Sequence, residues 1–126
     1  MKIITFIVLV TGVASQYAPS VMPRVVSYRQ ARSQLPADLT GFDGAVAVLN
    51  CADIGKTIYL RPAGGQWEKF LVADCAGIAD GGYAWMVRNN VIVEVDYKTA
   101  ERWNAIGRGI KVQMGRLASR PWHNFE

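Results

Sequence analysis

Val91-Ile92-Val93-Glu94-Val95-Asp96-Tyr97-Lys98-Thr99-Ala100-Glu101-Arg102-Trp103 is the stretch on which the fold turns. Its first five residues are apolar and β-branched around one charge, which predicts a short strand over Val91–Val95. At Asp96 the period changes. Ala100, Trp103 and Ile106 recur at helical spacing, which predicts a short helix over 96–104. Asp96 suits its N-cap, because a short carboxylate accepts an N–H that the first turn leaves unpaired. Gly107 suits its C-terminal stop, and Gly109–Met114 returns as a last strand.

Upstream, the pattern stays β-rich. Ala45–Leu49 is a short apolar run, Thr57–Leu60 is β-branched and aromatic, and Ala63-Gly64-Gly65-Gln66 is a turn. Trp67–Ala73 is a strand with Trp67, Phe70 and Val72 as wall residues. Gly77–Gly82 is a glycine-rich loop without the Lys-Ser/Thr end of a phosphate loop. Ala84–Val87 is a helical turn or a strand, and Asn89-Asn90 a turn. Residues 16–40 carry three prolines, a short possible strand at Arg24–Tyr28, and a polar stretch that includes Arg29 and Arg32. They read as an N-terminal extension or edge segment. The expectation is a mainly β domain over 41–115, a small six-stranded closed barrel with one or two short helices, and a tail over 116–126.

The chain has 126 residues, 51% of them hydrophobic and 19% charged, and a net charge of +4. This fits one globular domain and excludes a disordered chain. Lys2 precedes an almost wholly apolar run, Ile3 to Val13, with small residues at Gly12, Ala14 and Ser15. That is the layout of a secretory signal peptide, residues 1–15, cleaved after Ala14 or Ser15. The run is too short to cross a bilayer, which takes roughly 20 residues, so no integral membrane segment is expected after cleavage. In an oxidising compartment the two cysteines, Cys51 and Cys75, read as one disulfide. Two cysteines and the single His123 leave no metal site and no histidine-based triad. No nucleic-acid module is present, and no cofactor is expected.

The order of these segments resembles a family. Ile54-Gly55-Lys56-Thr57-Ile58 is followed by Val72-Ala73-Asp74-Cys75, then by Asp96 leading to Ala100, and then by Gly107-Arg108-Gly109-Ile110-Lys111-Val112. This is similar to the double-psi β-barrel domains of rare lipoprotein A, the barwin proteins, the expansins and family-45 glycoside hydrolases, over about 70 residues, as segment order read with turn signals allows. The chain has Ala73-Asp74-Cys75-Ala76-Gly77 where rare lipoprotein A proteins carry N-D-R-G-P, and Val95 where they carry an arginine. The resemblance implies a secreted protein associated with cell-wall or extracellular polysaccharide, peptidoglycan included.

Two carboxylates then stand out as catalytic candidates, Asp74 at a strand end and Asp96 at a helix start. Paired carboxylates cleave glycosidic bonds, one protonating the leaving oxygen and the other activating water. Lytic transglycosylases of the family imply a variant in which one aspartate is both acid and base, and Asp74 suits that role. It follows Leu71-Val72-Ala73, an apolar setting expected to raise its pKa. The plainer roles are a loop-capping aspartate for Asp74, an N-cap for Asp96 and a turn for Asp80. Trp67, Tyr83 and Trp85 are candidate glycan-binding rings, since flat rings stack on the apolar faces of sugars; Trp103 reads as core. Three functions are therefore open: a non-hydrolytic glycan-binding or wall-loosening module, a lytic transglycosylase or glycosidase, and a structural or effector-like scaffold.

Overall fold

The computed structural model describes residues 4–118. Its elements run β1 (Phe6–Gln16), α1 (Val21–Ala31), β2 (Gly44–Val48), β3 (Thr57–Pro62), β4 (Glu68–Cys75), α2 (Gly82–Arg88), β5 (Val91–Val95), α3 (Tyr97–Arg102) and β6 (Ile110–Leu117), with a 3-10 turn at Cys51–Asp53. The six strands form one closed barrel in the order β1-β5-β2-β4-β3-β6. β1 and β5 are parallel, as are β2 and β4, while the remaining neighbours are antiparallel.

Alternation along the strands sends Val46, Val48, Phe70, Val72, Val93 and Val95 inward, where they meet Ile58, Leu60, Val112 and Met114. The outer face is also covered beside β2. Met22 and Val26, one turn apart on α1, pack with Ala45, Leu71 and Ala73. A strand buried on both faces has no polar side, which is why Ala45–Val48 reads as an unbroken apolar run. Asp96 caps α3 as its position predicts, with Oδ1 accepting from the Thr99 amide at 3.0 Å. Ala84–Val87, open between helix and strand, lies within α2.

Three expectations differ. Arg24–Tyr28 is not a strand but the middle of α1. Pro23 falls in the first turn, where a proline costs no hydrogen bond, and the valines gain more from the barrel surface than their strand preference is worth. Barrel structure is also not confined to 41–115. The sixth strand is β1, drawn from the apolar N-terminal run, and Ala14 sits in the core at 2% exposure. Val13 to Gln16 of β1 pair with β5, so cleavage after Ala14 or Ser15 would cut inside this pairing. The expected tail begins late, since β6 continues to Leu117. Met1, Lys2 and Ile3, and Arg120, Pro121, Trp122, His123 and Phe125 of the tail, lie outside the described residues.

Candidate active site

β4 carries the first part of the site. β2 and β4 are in register at Val46 and Val72, but the next pair is Ala47 with Asp74. The skipped Ala73 is a bulge, a device that re-aims the side chain after it. Val72 points inward and Leu71 and Ala73 outward, and the bulge brings Asp74 to the outer face as well. Ala47 is also level with Glu94 on β5, and Glu94 with Ser15 on β1. Ser15, Glu94, Ala47 and Asp74 thus form one row across four strands on the outer face. Ala47, fully buried, is the small residue in the row between the two carboxylates.

Two further side chains close on Asp74. The chain leaves β1 with the Tyr17 amide bonded to the Val95 carbonyl at 2.8 Å, and the Tyr17 hydroxyl donates to Asp74 Oδ2 at 2.7 Å. From α1, Arg29 Nη2 donates to Asp74 Oδ1 at 2.9 Å, and its Nη1 donates to Gln34 at 3.0 Å. Arg29 Nε is buried and has no hydrogen-bond partner within the described residues. Ser15 Oγ donates to Glu94 Oε2 at 3.1 Å. Both oxygens of Asp74 therefore accept, and Arg29 balances its charge. The apolar setting expected for Asp74 is replaced by a guanidinium and a phenol.

Burial, with the neighbouring charges, sets the protonation of the groups around Asp74. Burial pushes the Tyr17 hydroxyl far above its usual range, and its bond to Asp74 with the negative charges of Asp74 and Glu94 adds to this. Tyr17 is thus a fixed donor. Burial also raises Glu94, the charge of Asp74 adds to it, and the Ser15 hydroxyl opposes it. Glu94 is the acid of the cluster that holds its proton to higher pH than an ordinary glutamate.

Asp96 is not brought to Asp74. Its Oδ2 accepts from the Ala45 amide at 3.3 Å, two residues along β2 from the Ala47 level, while Oδ1 holds the start of α3. Both oxygens serve backbone N–H groups, so Asp96 is the N-cap. It also borders a second groove of about 610 Å³ on another side of α1, lined mainly by Met22, Val26, Leu39 and Phe42. Asp80 accepts from the Gly82 amide at 2.9 Å, the turn role its glycines suggest.

The aromatic residues do not form one surface. Trp67 stacks on Phe6, centroids 4.7 Å apart, and Phe6 meets Tyr59 edge-on. Tyr83 and Trp85 are exposed on α2, whose Met86 packs near Val13. Phe6 and Val13 are seven residues apart on β1, about 23 Å in an extended strand. Trp103, expected in the core, is partly buried against it, edge-on to Phe70, and donates Nε1 to Glu68 at 2.7 Å.

Cys51 and Cys75 form a disulfide with Cα atoms 4.9 Å apart. It ties the 3-10 turn to the residue after Asp74. Among the described residues, no group of three histidine, cysteine or acidic side chains is placed to hold a metal, and no helix is long and apolar enough to cross a membrane.

Sequence reasoning missed Tyr17, Arg29 and Glu94. Glu94 had a signal, as the lone charge in an apolar strand. Arg29 had none, because its stretch reads as solvated until α1 is laid on the barrel. No family model matches the chain, and no curated protein matches it.

Proposed function

We propose that the chain is an exported double-psi β-barrel protein that cleaves an extracellular or cell-wall polysaccharide at Asp74. The observation that carries this is the convergence of Asp74, Glu94, Tyr17 and Arg29 from four parts of the chain on one outer face. The closed six-stranded barrel with two parallel strand pairs supports the double-psi assignment, as do the segments that resemble the family. The disulfide supports export.

In this reading Glu94 takes the place expected of Asp96, and the acid role passes from Asp74 to Glu94. The protonated Glu94 gives its proton to the oxygen of the leaving sugar. Asp74, oriented by Tyr17 and Arg29, takes a proton from the attacking group. That group is water in hydrolysis, or a hydroxyl of the sugar itself in lytic transglycosylation. Two strand spacings separate the Cα atoms of the pair, about 10 Å.

The test incubates the oxidised protein with peptidoglycan, cellulose and chitin and reads soluble products by mass spectrometry. Asp74→Asn is expected to lower product release by about a hundredfold or more, the usual loss when a positioned acid or base is removed. Co-sedimentation with a polymer and no product from either protein would replace cleavage by the non-hydrolytic binding module. Neither binding nor product would leave the scaffold.

A further inference from the structure

Helix α1 carries two neighbouring stripes at a spacing of four residues. Val21, Val25 and Arg29 form one, and Arg24, Tyr28 and Arg32, the last being its C-cap, form the other. Val21, Arg24, Val25, Tyr28 and Arg29 line a groove of about 440 Å³ with Asp74. The first stripe is the wall nearer the carboxylate; Arg24 and Tyr28 of the second form its rim, and Arg32, which does not line the groove, continues that rim by one turn. The helix contains no acidic residue, and its arginines lie on the groove side.

Arg29 is neutralised by Asp74, but no ion pair engages Arg24 or Arg32 among the described residues. Arg24 Nε donates to the Ser20 carbonyl at 3.2 Å, and Arg32 Nη1 to the Tyr28 carbonyl at 3.2 Å. A guanidinium has five N–H donors, so each keeps a fork for another acceptor. Arg32 lies 3.5 Å over the Tyr28 ring, which remains 54% exposed. The rim is therefore cation, flat ring, cation, spread over about 12 Å of helix.

We propose that this rim selects the substrate of the Asp74 site, and that the substrate is a carboxylate-bearing polysaccharide such as a uronate chain. Guanidinium forks match sugar carboxylates in a bidentate way, and the part of the Tyr28 ring that Arg32 does not cover offers apolar contact to the sugar. The proposal rests on the reading of Asp74 as a glycan site.

The test is affinity electrophoresis of the full chain in gels holding polygalacturonate, or the same polymer fully methyl-esterified, at low and high salt. The expected result is retardation by the acid polymer that fades with salt and is absent with the ester. Arg24→Gln/Arg32→Gln is expected to weaken retention about tenfold, two exposed charge contacts' worth, and Tyr28→Ala to weaken it independently of salt. All these side chains are exposed, and thermal melts of the variants verify folding. Equal retardation by the ester, no retardation by either polymer, or wild-type retention by the double arginine variant would overturn the proposal. So would tighter binding to duplex DNA or to anionic lipid vesicles. Asp74→Asn runs alongside. Retention without product in any protein would sink the cleavage reading alone, while product from neutral glycans with no preference for the acid polymer would sink this one alone.

Discussion

Glu94 stands among four apolar residues in β5 and meets only partial solvent. Its folded pKa is raised, chiefly by burial. The folded state therefore binds its proton more tightly than the unfolded chain does. The stability tied to that proton is present below the ordinary glutamate range and is lost as pH rises through the raised value. Glu94→Gln removes this loss. Its melting temperature is expected to match the wild type in mild acid and to exceed it at neutral pH, and melts across that range check the crossover. On the proposed cleavage reading the same variant has lost its acid, so product release is expected to fall and the residual rate to lose its alkaline limb. Asp74 was legible as a candidate from its place at a strand end, because polar residues that terminate apolar strands lie where a site can form. Its partners were not legible. Tyr17 and Arg29 reach it from 57 and 45 residues away, and contacts at that range come from packing rather than local pattern.

At the scale of elements, the strand and helix around Asp96 were readable because pattern and cap agree there. α1 was misread as a strand because its two adjacent valines favour one, and only the outer face of β2 and β4 makes a helix the better cover. The β4 bulge was not readable at all, since a one-residue register slip leaves no mark in an apolar run. It has a mechanical neighbour. The Cys51–Cys75 bond holds the end of β4 just beyond Asp74. Opening it frees a loop whose closure is worth about 3 kcal/mol in the chain-entropy account. Cys51→Ser/Cys75→Ser is expected to lose stability of that order in denaturant titrations. If Asp74 cleaves glycan as proposed, product release is expected to fall further than stability does, because the bulge that aims Asp74 loses its tether. A variant that keeps full activity while melting earlier would separate the bond from the site.

For the molecule as a whole, six strands were expected and six are present, but one comes from a segment read as a leader. Apolar content alone does not separate an export signal from a barrel strand, as both are short runs of valine, isoleucine and leucine. The folded barrel uses the two ends of that run differently. Gly12 has no room for a side chain, since a Cβ there would lie 2.6 Å from Ile92. Ile7, Val8, Leu9 and Val10 remain 37–44% exposed.

That first half of β1 has β6 on one side, and among the described residues its pairing with β5 starts only at Val13. A bare row of amides and carbonyls flanked by exposed aliphatic side chains is a template on which another extended chain can grow. The concentration at which solutions of this protein cloud is therefore expected to depend on these four exposed side chains. Leu9→Lys is expected to raise that concentration while leaving the melting temperature within about a degree or two, as surface changes within about 0.5 kcal/mol do. Light scattering against concentration reads the first, and a thermal melt the second. The strand that completes the barrel is thus also where its colloidal life is decided.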